Sequence, residues 1–498
     1  MFKNRNVFLV LGIIGAFVYY NGFSIGLIGD DFQFTFPFFP KNPFYFFSHA
    51  LPNCLSYRPL QALVMAGAQH CFGVFNTFPM HALTLFFHVV VCFSVYYVCI
   101  QSGIGRLPAF LSSLFMLVSQ TNVMAVSGND TLSQILVTLF GCLSLWTLWK
   151  ATSAGNPVNK RNALSALSLA LFVLCLLSKE TAVSFFVQVL VLLGFSRARK
   201  RTSTIRSIIV GAFYSLTVLV YWIIHASLPL RNASFGYAPY DLYPGLNVFS
   251  NAVQFAVSLF SPLSTVSVCR AFFYKDIVFL LFTGLVLLLV ISLSISGTVK
   301  SRQKRIFIAV PILGLTGFFP LVLMNHVSEL YTYQFAPFFS IIIGIGISHF
   351  ITGTRQNPIK NLVVLIITAF FFAGNIYAVE KKIVCVKKNG KQAASLYTQL
   401  APIIKQTPQN AYMYLVNPQE QGPQYSVFLI KGFNVLEYGL LPIGRLLQRD
   451  DVAITIVDLP VSKTCGCTRH FYDPPKSGSP ILLTLDENRV IPYVLSRH

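Results

Sequence analysis

Charge is what this chain has least of. Of its 498 residues, 11% are charged, where a soluble domain carries about a quarter, and 54% are hydrophobic. That shortfall excludes an ordinary soluble enzyme, and the chain reads as a polytopic α-helical membrane protein. Acids are scarcer than bases, with 16 Asp and Glu against 37 Lys and Arg. The net charge of +21 does not indicate nucleic acid. The basic residues lie in short clusters between apolar runs, as in cytoplasmic loops, and not on one solvated face. There is no Walker lysine loop, which argues against a nucleotide-driven pump. There is also no GxGxxG after a strand-like run, and no internal repeat of the kind that pairs the halves of many secondary transporters. The ten cysteines do not form a disulfide framework. Cys92, Cys99, Cys142 and Cys175 fall inside apolar runs as small hydrophobes. Cys465 and Cys467 lack partners at zinc-binding spacing. Cys54, Cys71, Cys269 and Cys385 are candidates for a bridge only if their loops face an oxidising compartment.

What is present is a series of apolar runs of bilayer length. They cover residues 7–28, 78–100, 107–126, 131–149, 163–178, 182–196, 206–225, 277–295, 306–324, 333–352 and 361–379. Lys3 and Arg5 precede the first run, which is longer than a signal-peptide core, so an uncleaved anchor with a cytoplasmic amino terminus is expected. The stretch 247–268 is interrupted by Pro262 and reads as lying on the outer surface or re-entering. That placement keeps the basic cluster at residues 300–305 inside. The expected fold is therefore about eleven transmembrane helices over residues 1–379, with a long first outer loop at 29–77. Residues 380–498 mix polar and apolar positions. Strand-like runs at 412–416, 452–457 and 481–485, separated by turn signals, predict a small α/β domain on the outer face.

Seven acids precede residue 379: Asp30, Asp31, Asp130, Glu180, Asp241, Asp276 and Glu329. In this topology all seven fall at outer ends of spans or in outer loops. Acids contribute little to orientation, so their segregation points to an outward-facing polar cavity. In the first outer loop, Arg58 and Pro59 open a helix whose residues 60, 63, 64 and 68 form one apolar face, as in a helix lying in the membrane interface.

The order of short motifs along residues 20–350 resembles the membrane glycosyltransferases of the GT-C superfamily. The nearest branch is that of the protein O-mannosyltransferases and the tetratricopeptide-bearing transmembrane mannosyltransferases. The motifs are the acids after the first span, Tyr57-Arg58-Pro59-Leu60, Phe78-Pro79-Met80-His81 with His88, Gly128-Asn129-Asp130-Thr131, Lys179-Glu180-Thr181 and Glu329-Leu330-Tyr331-Thr332-Tyr333. Met124 departs from this pattern, since many relatives carry an acid there. The tetratricopeptide repeats are absent, and the carboxy-terminal domain shows no match.

The resemblance implies inverting transfer of a sugar from a polyprenyl-phosphate donor to a lipid, glycan or protein acceptor on the non-cytoplasmic face. A bacterial cytoplasmic membrane is the expected setting. Asp30 or Asp31 would be the base, with Asp30 the first choice and Asp31 a structural or metal-binding partner. Arg58, Lys179, Glu180, His81, Asp130, Glu329 and Tyr331 would bind the donor phosphate or the substrate. A divalent cation is compatible with this set but not required by it. Blander readings stand beside these: Lys179-Glu180 as a span-end pair, His81 and His88 as packing histidines, and Tyr331 or Tyr333 as an interfacial belt aromatic. Two rival functions are a transporter or flippase for a lipid-linked glycan, and a non-catalytic assembly factor.

Overall fold

The computed structural model describes residues 4–34, 42, 44–49, 57–153, 155–198, 202–228, 245–300, 304–324, 327–353, 358–417, 423, 425–430, 432–436, 447, 449, 451–458, 481–486 and 489–492. Asp241, Cys54, Cys465 and Cys467 lie outside the described residues.

Helices account for every apolar run, with informative differences at three of them. The first run is helical only as α1 (Asn4–Val18), then breaks into a 3₁₀ turn at Tyr20–Ser24 and an extended segment at 25–28. It is therefore shorter than the uninterrupted 7–28 run suggests. After a short α2 (Tyr45–Ser48) and α3 (Pro59–Phe72) comes α4 (Phe78–Gln101). The third run is bent by 43° between α5 (Arg106–Val118) and the segment Gln120–Ser127, which ends in α6 (Val123–Ser127). Next come α7 (Leu132–Ala151), α8 (Val158–Ser178), α9 (Val183–Ala198) and α10 (Thr204–Ser227). The Pro262-containing stretch forms two short helices, α11 (Asn247–Phe260) and α12 (Thr265–Phe273). The membrane part ends with α13 (Ile277–Lys300), α14 (Lys304–Val322), a single turn α15 (Glu329–Thr332), α16 (Ala336–Gly353) and α17 (Pro358–Gln406). Among the described residues, seven helices are long and apolar enough to cross a membrane, or eight if the bent pair is one span.

The helices sort into inner and outer by what they expose. α7 is buried on nearly every side. Its Ser144 hydroxyl donates to the Ser168 carbonyl of α8 at 2.8 Å, a polar bond between apolar helices. α10 and α13 instead expose Ile205, Ile208, Phe213, Leu281, Leu285 and Leu288. Such a surface fits contact with lipid chains. In α3 the buried face is Ala62, Met65, Ala66 and Gln69, while residues 60, 63, 64 and 68 are only partly covered. The small residues pack inward beside Leu132 and Leu136 of α7, leaving the bulkier apolar face outward.

The expected boundary at 379/380 falls within α17, a continuous helix of 49 residues. Its last turns, with Leu396, Leu400 and Ile404, pack on a four-stranded sheet formed by β1 (Tyr412–Asn417), β2 (Ala453–Asp458), β3 (Ile481–Asp486) and β4 (Arg489–Pro492). The strand order is β2-β1-β3-β4, parallel but for β4, with Tyr414 paired to both Thr455 and Leu482. Met413, Leu415, Ile454 and Leu483 share one core with side chains of the membrane helices.

Candidate functional site

The site begins where α1 ends. Gly29 takes φ +56°, a conformation open to glycine without steric cost, and turns the chain into a 3₁₀ turn, Gly29–Phe34, that carries both aspartates. The segment leading in is held from two sides. The Ile25 carbonyl accepts the Thr77 hydroxyl at 2.6 Å and His81 Nε2 at 2.9 Å. From the other side α17 approaches so closely that a Cβ on Gly390 would sit 2.9 Å from the Gly26 nitrogen. Asn21 Nδ2 donates to Glu380 of the same helix at 2.6 Å.

The two aspartates have different surroundings. Asp31 is buried, and each of its oxygens accepts two N–H groups. Oδ1 takes the backbone N–H of Asn129 at 3.1 Å and of Asp130 at 2.9 Å; Oδ2 takes the Ile28 N–H and Asn129 Nδ2, both at 2.9 Å. Burial and the neighbouring Asp130 raise its carboxyl to about 8, and these N–H donors oppose that shift. Asp30 is exposed, and among the described residues no donor is bonded to its carboxylate. The surrounding protein and the neighbouring Asp130 raise it to about 6, opposed by the nearby cations Arg58 and Lys179.

One chain of contacts carries the site across four segments. The Asp130 carbonyl accepts a hydrogen bond from Gln61 Nε2 of α3. Arg58, at the N-terminal boundary of α3, grips Glu180 with two bonds, Nη2–Oε1 at 2.7 Å and Nε–Oε2 at 3.1 Å. Glu180 opens the turn after α8. The preceding residue, Lys179, is 2% exposed, and its Nζ lies 5.8 Å from the Tyr331 ring centre. Burial and Arg58 pull Lys179 down to about 7, against the pull of Glu180, Asp130 and Asp30. Asp30, Asp130, Arg58 and Lys179 thus act on one another electrostatically.

Several other expected residues are held by the bundle itself. Glu329 is fully buried and pairs with Lys382 of α17 at 2.6 and 2.8 Å. It also accepts Tyr425 OH at 2.8 Å and the Thr265 hydroxyl, so its carboxylate is occupied by the protein itself. His88 bridges the Leu117 carbonyl at 3.2 Å and the Tyr333 hydroxyl at 2.8 Å inside the bundle. Tyr331 and Tyr333, at 8% and 0% exposure, are core aromatics and not members of an interfacial belt. Asp276 bonds the Phe279 N–H at 3.1 Å and caps α13. Met124 receives the Ser328 and Ser426 hydroxyls at 3.7 and 3.3 Å, next to the Glu329 cluster.

The expectations omitted Gln61, Asn129 and Lys382. Asn129 was within a quoted motif, whereas Lys382 looked like one more cation after the last apolar run. Among the described residues no group of three His, Cys, Asp or Glu side chains is arranged to hold a metal ion. Asp31 is also poorly suited as a ligand, because N–H donors already fill its oxygens. An apolar cavity of about 830 Å³ between α4, α7, α9, α14 and α16 is lined, among the described residues, by no charged side chain.

No protein-family model matches the chain, and no curated protein matches it in sequence. Solved structures do match it. ArnT from Cupriavidus metallidurans in the apo state has a TM-score of 0.52 at 13% identity, over 83% of this chain and 83% of that one. The same protein bound to undecaprenyl phosphate gives 0.48 at 13% identity, over 83% and 82%. The Archaeoglobus fulgidus oligosaccharyltransferase in the apo form gives 0.49 at 12% identity, over 83% of this chain and 62% of that one. At such identities the likeness is one of fold alone.

Proposed function

We propose that this protein transfers a sugar, with inversion, from a polyprenyl-phosphate-linked donor to an acceptor hydroxyl on the non-cytoplasmic face of a membrane. The observation that carries this reading is the division of labour between the paired aspartates. Asp31 anchors the turn through four N–H bonds, and Asp30 is left accessible beside the Arg58–Glu180–Lys179 group. The GT-C fold supports the same reading. The wider topology of about eleven spans, with the carboxy-terminal sheet on the outer side, belongs to this proposal.

The chemistry is a displacement at the anomeric carbon. Asp30 accepts the proton of the acceptor hydroxyl as its oxygen bonds to that carbon from the face opposite the phosphate. The bond from carbon to phosphate oxygen breaks, and polyprenyl phosphate leaves with the electron pair. Lys179 stabilises the charge that develops on the leaving phosphate. Arg58, tied to Glu180, sets the local field and fixes the end of α3. A lipid donor confined to the bilayer needs its partners at membrane depth, and a turn at the end of α1 provides that position.

The test is sugar transfer from a polyprenyl-phosphate donor in membranes holding the full chain. Asp30→Asn should lose activity by about 10² to 10⁴-fold while still binding donor. Wild-type activity in Asp30→Asn at normal protein level would overturn the assignment of the base. Accumulation of lipid-linked sugar on the cytoplasmic side after loss of the protein would favour a flippase instead.

A further inference from the structure

At the far end of α8 from Lys179 lies a second charged site. Arg161 and Lys179 are separated along that helix by about 27 Å, roughly one bilayer core. There α8, α9 and α10 line an open pocket of about 1220 Å³ that includes Arg161, Arg197 and Arg206 together with Ser165, Ser203 and Thr204. Among the described residues no Asp or Glu lines it, and the sequence has none from 150 to 162 or from 195 to 206.

Ser165 ties the Arg161 main chain to the Arg206 side chain, and the Arg161 guanidinium donates through Nε to the Ala151 carbonyl at 3.3 Å. The Ser165 hydroxyl donates to the Arg161 carbonyl at 2.9 Å and accepts from Arg206 Nη2 at 3.4 Å. Ser203 caps α10, accepting the Arg206 N–H at 3.2 Å. Three guanidinium groups around one pocket with no carboxylate lining it repel one another, so the arrangement gains free energy when an anion enters.

The rest of the wall says what the anion is attached to. Leu169, Ile209, Val210 and Phe213 continue the lining, and Ile205, Ile208 and Phe213 are exposed along α10. A basic head pocket joined to a greasy helix face matches a molecule with a phosphate at one end and hydrocarbon at the other.

We propose that this pocket binds the headgroup of an anionic phospholipid, its acyl chain lying on α10, in the leaflet opposite Asp30. Basic pockets between transmembrane helices on the cytoplasmic side are suited to such headgroups. The site is independent of the transfer reaction and stands whether or not that reading holds.

The experiment uses the full chain, purified and re-equilibrated with mixed phosphatidylglycerol and phosphatidylcholine, with the retained lipid measured by native mass spectrometry. Phosphatidylglycerol should be enriched in the wild-type protein, and the enrichment should fall about five-fold for each arginine removed in Arg161→Gln and Arg206→Gln. Lys300→Gln, a cation outside the pocket, should leave it unchanged. Ala166→Trp fills the pocket without touching a charge, and should lower the enrichment in a protein that keeps all its arginines. Equal enrichment in wild type and the double arginine variant would overturn the proposal, as would full enrichment in Ala166→Trp. Inorganic phosphate that displaces no phosphatidylglycerol supports a lipid ligand; phosphate that stabilises the protein as strongly in pure phosphatidylcholine would overturn that source.

Discussion

Asn129 holds Asp31 twice, once through its backbone N–H to Oδ1 at 3.1 Å and once through its side-chain Nδ2 to Oδ2 at 2.9 Å. The turn after the first helix is thereby clamped to the segment between α6 and α7, and Asp30, one residue earlier, is aimed without being bonded. Asp31→Asn would place an amide NH₂ against N–H donors that the carboxylate now accepts. It should cost about 1–3 kcal/mol of stability and lower transfer activity by roughly 10²-fold through misplacement of Asp30. Thermal unfolding and transfer assays on the same preparation measure the two effects.

Asp30 should set the acid limb of the pH profile. Its carboxyl is raised from 3.8 to about 6, and a base must be ionised to work. The kcat/KM value for transfer is therefore expected to rise with pH through about 6. The folded chain holds this proton more tightly than the unfolded chain. Its stabilising effect is thus full below 3.8 and is lost as pH rises through about 6. Asp30→Asn should melt higher than wild type at neutral pH while losing activity, and an unchanged melting temperature would contradict the raised value.

Lys179 should set the other limb. It is held near 7 by burial and by Arg58, and only its protonated form can stabilise a leaving phosphate. The kcat/KM value is expected to fall above about 7, giving a narrow bell with the Asp30 limb. Lys179→Met should remove the alkaline limb and leave the acid limb in place.

The Arg58–Glu180 pair is partly accessible, with side chains 16% and 32% exposed, so its contribution to stability is modest. A double-mutant cycle with Arg58→Met and Glu180→Gln should give a coupling of about 1 kcal/mol. Arg58→Lys should not restore activity, because an ammonium cannot make the paired bonds of a guanidinium. Transfer kinetics compared with melting temperature separate the two effects.

The buried Lys382–Glu329 pair, at 0% and 1% exposure, should behave differently. Losing one partner strands a charge among Tyr425, Thr265 and Gln120, so Lys382→Met alone should cost about 3–5 kcal/mol. The double variant Lys382→Met with Glu329→Gln should recover part of that loss. Donor KM in the double variant should stay near wild type, because Glu329 is held by α17 and the region after it and not by a ligand.

The helical membrane character, the positions of the apolar runs and three of the four carboxy-terminal strands were legible in the residues themselves, β4 being the exception. Hydrocarbon length and strand alternation are local properties of sequence. Asp30, Arg58, Asp130, Lys179 and Glu180 could be singled out as candidates because scarce charges beside apolar spans stand out. Their separate roles were not legible. That Asp31 is spent on N–H donors, that Glu329 is neutralised by Lys382 and that Tyr331 lies over a lysine all depend on partners far away in the chain. The first run also ended early for a reason no hydropathy pattern contains: Thr77, His81 and the close approach of Gly390 hold residues 25–26 extended. Composition determined what this protein is made to sit in. Only tertiary structure, which decides which lone pairs are already taken, distinguished the aspartate that anchors from the one left accessible.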